Sequence, residues 1–131
     1  VEKTFSDPPA RRKDKKQTPH VVPLSRQAIA VLNRLDTSGK YLFQSRGTVA
    51  VGKDTVRKTL LDLTDSPATI HGTRSTFSDW CARNDKNFLV SEKCLMHAVG
   101  NAVFQAYQRD DLLDQRRVLL QEWADFLLPD L

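Results

Sequence analysis

Thr69-Ile70-His71-Gly72-Thr73-Arg74 is the stretch on which the reading of this chain turns. A threonine ahead of Phe77, Trp80 and Cys81 at helical spacing predicts a helix that opens at Thr69 and runs to about Asn84. His71 and Arg74, at i and i+3, then project from one face of its first turn. The helix N-terminus adds unsatisfied backbone N–H groups and a partial positive charge, so an anion beside His71 and Arg74 would be held in three ways. On its own an HxxR pattern is most often a surface histidine beside a surface arginine, so its meaning depends on what accompanies it.

Upstream, Pro19-His20-Val21-Val22-Pro23-Leu24 is short, β-branched and bounded by prolines. With the extended Lys3-Thr4-Phe5 before a basic run, it predicts a hairpin carrying Lys and Arg at its tip. Tyr41-Leu42-Phe43 is a candidate third strand. Ser25 caps a predicted helix with Ala28, Ile29, Leu32 and Leu35 on one side and Gly39 just past its end. Asp54 caps a second, with Val56, Leu60 and Leu63 inward.

Downstream, Ser91 caps a short helix stopped near Gly100, and Asn101 caps another that carries Tyr107. Asp110 or Asp111 starts the longest amphipathic segment, with Leu112, Leu113, Leu119, Leu120, Trp123, Phe126 and Leu127 on one broad face. So wide an apolar stripe needs a partner, either the preceding helices or a neighbouring protomer. The expected fold class is α+β and mostly helical: a small antiparallel β-hairpin or three-stranded sheet, then a helical bundle closed by the amphipathic C-terminal helix.

At 131 residues and 40% apolar content, residues 1–131 are expected to form a single domain. No run approaches the roughly 20 apolar residues of a membrane span, and no signal-peptide core opens the chain, so a soluble cytosolic protein without a membrane partner is expected. Cys81 and Cys94 stand 13 positions apart without a CxxC, which favours buried free thiols over zinc or a disulfide framework. The net charge of +4 is unevenly placed, with Lys3, Arg11, Arg12, Lys13, Lys15 and Lys16 near the start and Asp110, Asp111, Asp114, Glu122, Asp125 and Asp130 near the end. A basic end of this kind favours a polyanion, and nucleic acid over a lipid surface. The chain opens on Val1 and reads as a piece of something longer.

Company for the HxxR pattern is found in Leu95-Met96-His97-Ala98-Val99-Gly100-Asn101, followed ten residues after His97 by Tyr107 in Ala-Tyr-Gln-Arg. HxxR, a second histidine in an L-x-H-x-x-G-N context, and then a tyrosine, in that order and spacing, resemble the tyrosine recombinases, the phage integrase family. Pro19-His20-Val21-Val22-Pro23-Leu24-Ser25 and the tail Tyr107-Gln108-Arg109, Gln115-Arg116-Arg117, Trp123-Ala124-Asp125 look like those of integrases similar to that of satellite phage P4. The resemblance runs from about Lys13 to Leu127.

This resemblance implies a fragment of the recombinase catalytic domain, its upstream part and the N-terminal DNA-binding domains absent, acting in site-specific integration and excision of a phage or genomic island. Cleaving a phosphodiester without metal or cofactor needs a nucleophile, proton transfer and positive charge on the crowded phosphate. Tyr107 would be the nucleophile, forming a 3′-phosphotyrosine, and Arg74 would grip the non-bridging oxygens. His71 would move a proton or hydrogen-bond the phosphate, and His97 would donate a further hydrogen bond. The family's general acid, a hairpin lysine eight residues before the proline of VPL, falls on Lys15, with Lys13 and Lys16 as rivals. Lys13, Lys16, Arg11 and Arg12 would otherwise hold DNA backbone phosphates. The implied partners are double-stranded DNA attachment sites and a homo-tetramer on them, with exchange of the C-terminal helix between protomers, in the bacterial cytosol at the nucleoid.

One departure matters. The family's first phosphate-binding arginine lies in an R-x-x-E context upstream of the hairpin, no such motif exists here, and Arg11 and Arg12 stand on the wrong side of the first strand to replace it. The fragment alone is therefore expected to be inactive. Residue by residue, Tyr107 also reads as a core tyrosine, His97 as a C-capping histidine and His20 as structural. A non-catalytic basic DNA-binding module is the alternative; a metal nuclease is disfavoured because the three histidines lack carboxylates at ligand spacing.

Overall fold

The computed structural model describes residues 2–5, 20–35, 38–39, 41–45, 49–64, 67–97, 99–100 and 111–130. In chain order these form β1 (Glu2–Phe5), β2 (His20–Pro23), α1 (Arg26–Leu32), β3 (Gln44–Ser45), β4 (Val49–Ala50), α2 (Lys53–Leu63), α3 (Ile70–Arg83), α4 (Phe88–Cys94) and α5 (Leu113–Leu127). The architecture is mostly helical with short strands, consistent with the α+β expectation. The chain divides into two compact units, Val1–Ala30 with Lys86–Leu131, and Val31–Asp85.

In the first unit β1 pairs antiparallel with β2, Lys3 opposite Val22 and Phe5 opposite His20. The expected pairing of the KTF stretch with HVVP is present; the basic tip falls outside the described residues. The Ser25 hydroxyl accepts from the Ala28 N–H at 3.2 Å and so caps α1 as expected. α5 packs against α4 and β2 of its own chain. Val90, Leu95 and Leu119 are buried there, each worth roughly 1.5–3 kcal/mol as burial of a whole aliphatic side chain.

The expected apolar stripe of α5 is interrupted by an arginine. Arg116 lies at i+4 from Leu112 and i−3 from Leu119, in the middle of the inward face, and its side chain is fully excluded from solvent. Its Nη1 donates to Asp111 Oδ2 at 2.6 Å and its Nη2 to the Val21 carbonyl at 2.8 Å. A buried guanidinium needs such partners, because several kcal/mol of lost hydration must be recovered by charge-assisted hydrogen bonds. Arg116 thereby ties the start of α5 to β2. Farther along, Phe126 and Leu127, expected on the packed face, are exposed.

A second polar tie joins the other end of α5 to α1. Asp125 Oδ1 accepts from Gln27 Nε2 at 2.7 Å, Gln121 Nε2 at 2.8 Å and Arg26 Nη2 at 3.1 Å, while Gln121 Oε1 accepts from the Arg26 N–H at 2.9 Å. Gln27 is buried, and its amide joins α1 to α5 through Asp125 and Gln121. These hydrogen bonds hold the Asp125 carboxyl below the usual carboxylate range, the Gln27 amide contributing most.

In the second unit β3 pairs antiparallel with β4, Gln44 opposite Ala50. Tyr41, Leu42 and Phe43 stand just ahead of β3 in bends, so the strand found here starts at Gln44, past the expected Tyr41–Phe43, and pairs with β4 instead of joining β1 and β2. α1 ends at Leu32, well before Gly39, and leaves Leu35 outside the helix. α2 starts at Lys53 with Gly52 in the cap position and no side-chain cap, which puts Asp54 inside the first turn. Val56 and Leu63, expected inward, are exposed, Leu63 to 79%. The period of the sequence locates an apolar face but does not supply something to cover it. α3 matches its expectation closely, with Thr69 and Asn84 as its caps and Phe77 and Cys81 buried.

Candidate functional site

The first turn of α3 is built by its cap. Thr69 takes an extended backbone, φ −122° and ψ 152°, and its hydroxyl accepts from the Gly72 N–H at 2.9 Å, satisfying one of the donors that every helix start leaves over. The Thr73 N–H reaches the Thr69 carbonyl at 3.2 Å and closes the first helical ring. A side chain at Gly72 would bring a Cβ within 3.1 Å of the capping hydroxyl, so glycine suits this turn sterically. His71 and Arg74 rise from this turn, His71 exposed and Arg74 half-buried. Their i, i+3 spacing puts them on one face, as expected.

His97 is positioned by the end of α4. Asn87, rather than Ser91, caps this helix, its Oδ1 accepting from the Val90 N–H at 3.2 Å. Ser91 is instead buried one turn inside, its hydroxyl donating to the Phe88 carbonyl at 2.8 Å. The helix stops at Cys94, not near Gly100, because Met96 adopts a left-handed φ of 56°. Two bonds then fold the chain back: the Met96 N–H to the Lys93 carbonyl at 3.2 Å and the His97 N–H to the Glu92 carbonyl at 2.9 Å. This is a Schellman ending with methionine where glycine is usual, a conformation that costs an L-residue roughly 1–2 kcal/mol. The imidazole Nδ1 of His97 lies 2.9 Å from Glu92 Oε2.

The structure thus brings His71 and Arg74 together on one turn and pairs His97 with Glu92. The first pair belongs to the 31–85 unit and the second to the other. Tyr107, Lys15, Lys13, Lys16, Arg11 and Arg12 lie outside the described residues. No group of three or more His, Cys, Asp or Glu side chains is arranged to hold a metal among the described residues.

From the sequence alone, Arg116 and Cys94 are named without a partner for either, and Glu92 is missed altogether. Glu92 lies five residues before His97, a separation no regular helix brings together, and only the left-handed turn at Met96 makes them neighbours. Arg116 had a legible signal, a charge in the middle of an apolar stripe. Cys94, half-buried beside Arg116, has its thiol pushed above its ordinary range by burial, against an opposing pull from the guanidinium.

No helix among the described residues is long and apolar enough to cross a membrane. No protein-family model matches the chain. No solved structure matches it. Two proteins of Escherichia coli (strain K12) are similar to it. The prophage integrase IntA is 35% identical over 116 residues, covering 82% of this chain and 28% of that protein. The protein IntB is 27% identical over 132 aligned positions, covering 90% of this chain and 32% of that protein. The chain therefore spans roughly a third or less of the curated relatives it matches, and its relationship is integrase-like over most of its own length.

Proposed function

We propose that the protein containing this chain is a site-specific DNA recombinase of the tyrosine type, integrating and excising a mobile element at double-stranded attachment sites. The observation that carries the reading is the likeness to a prophage integrase across 82% of the chain, in which HxxR occupies the capped first turn of a helix. A phosphate at that turn meets a cation, a titratable ring and backbone donors at once.

In this reading the Tyr107 hydroxyl attacks the scissile phosphorus, its proton passing toward His71. The bond to the 5′ oxygen breaks, and Lys15 returns a proton to that leaving group. The product is a 3′-phosphotyrosyl ester and a free 5′ hydroxyl, so the energy of the phosphodiester is kept for religation. Arg74 and His97 hold the non-bridging oxygens where negative charge accumulates. Lys13, Lys16, Arg11 and Arg12 hold the flanking backbone, a sequence-independent contact that weakens with salt. Four protomers act on two paired sites, with the C-terminal helix passed between them. Because the upstream arginine of the family is missing from this stretch, the 131 residues alone are expected to cleave poorly or not at all.

The test is to trap the full-length protein on DNA nicked close to the cleavage position, digest the adduct and find the modified peptide by mass spectrometry. A phosphotyrosyl nucleotide on Tyr107 supports the reading. DNA binding without any covalent product favours a non-catalytic DNA-binding module instead.

A further inference from the structure

We propose that Glu92 is a positioning residue for His97, holding the imidazole by Nδ1 so that Nε2 is the nitrogen given to a DNA phosphate. The inference rests on the recombinase reading of His97 and deepens it by naming what orients the ring.

Two bonds join the same two residues. The His97 N–H donates to the Glu92 carbonyl at 2.9 Å, which fixes the backbone of His97, and Nδ1 meets Glu92 Oε2 at 2.9 Å, which fixes its ring. In a Schellman ending these two positions commonly make an apolar contact; here an acid and an imidazole occupy them. Their exposures are unequal, the Glu92 side chain 17% and the His97 side chain 45%, so the carboxylate is the anchored partner and the ring the accessible one. A carboxylate only accepts, so Nδ1 must carry the hydrogen that it shares with Glu92. Any contact from the ring to a phosphate oxygen, also an acceptor, is then made through Nε2 when that nitrogen carries its proton. The left-handed Met96 between them gives the arrangement a backbone cause: without that turn, residues five apart do not meet. Carboxylates that steer a functional histidine in this way act through its tautomer and orientation.

The test combines two readouts on the full-length protein. Glu92→Ala and Glu92→Gln, each alone and with His97→Ala, are assayed for covalent cleavage of nicked duplex, and the ring nitrogens of His97 are followed by 15N NMR at a pH where the imidazole is neutral. Glu92→Ala is expected to slow cleavage roughly tenfold to a hundredfold, the scale of a misplaced catalytic contact. Glu92→Gln, which keeps an acceptor oxygen, retains more of the rate. In the His97→Ala background Glu92→Ala has no further effect. His97 is in the Nδ1–H form in the wild type and leaves it in Glu92→Ala. Wild-type cleavage by Glu92→Ala, an equal loss with and without His97, or unchanged ring shifts overturns the inference while leaving the recombinase reading intact. Absence of any adduct from the wild type overturns the recombinase reading itself and removes the phosphate from the role given to Nε2; the ring shifts then show separately whether Glu92 orients His97.

Discussion

The Arg116 guanidinium, fully excluded from solvent, donates from Nη2 to the backbone carbonyl of Val21 at 2.8 Å across 95 residues of sequence. A strand near one end of the chain and a helix near the other are thus held by a charge where the pattern of the helix calls for a leucine. The Asp111 carboxylate supplies the counter-charge at 2.6 Å and is half-exposed, so the pair is dry on one side only.

Removing that side chain leaves the Val21 carbonyl without this donor and the Asp111 carboxylate without its counter-charge. Arg116→Ala is expected to lower the unfolding free energy by about 3 kcal/mol, within the range for breaking a buried charged pair. Arg116→Lys recovers only part of this, since an ammonium cannot reproduce the planar fork. Urea denaturation of the three proteins checks the ranking, and an alanine variant as stable as wild type would show that the contact contributes nothing.

Asp125 gives a prediction about pH. Its folded-state carboxyl is held below the ordinary value of 3.8 by the Gln27, Gln121 and Arg26 hydrogen bonds. The unfolded chain therefore takes up this proton first as pH falls. The stabilisation is complete above the unfolded value and is lost as pH drops through the folded one. Asp125→Asn should melt below wild type at neutral pH, with the gap closing in the most acidic buffers in which both still fold. A gap that is constant with pH would contradict the assignment.

Thiol chemistry tests the packing around Arg116 independently. Burial pushes the Cys94 thiol up, and Cys81 is buried, so both should alkylate far more slowly in the folded chain at neutral pH than a free cysteine does. The Cys94 rate should climb as pH rises beyond the ordinary thiol range. Mass-resolved alkylation separates the two sites, and modification of Cys94 at the rate of the denatured chain would refute the packing described.

How much of this was legible before the structure depends on whether the cause was local. Thr69 and Asn84 bound α3 as expected because both ends are set by side chains within the helix's own sequence. The KTF and HVVP strands are also found, and paired. α4 starts earlier than its expected cap at Ser91 because Asn87 and Ser91 are both competent caps, and the choice between them depends on what buries Ser91. The period of α2 predicts an inward face, yet Val56 and Leu63 are exposed, since periodicity is a property of one helix and burial a property of two. For the site, the HxxR turn was readable because a cap and an i, i+3 spacing are local, whereas the Glu92–His97 pair depends on a left-handed methionine that no propensity rule would assign. The tyrosine and the basic hairpin tip rest on sequence pattern alone.

The measurement that bears most directly on the central claim is therefore made on Tyr107. Full-length protein, wild type and Tyr107→Phe, is incubated with nicked attachment-site DNA and the mixture resolved in SDS. A protein–DNA adduct that survives denaturation in the wild type and vanishes in the phenylalanine variant is the predicted result. No adduct from either protein while both bind the DNA, or an adduct that persists in Tyr107→Phe, would contradict the account.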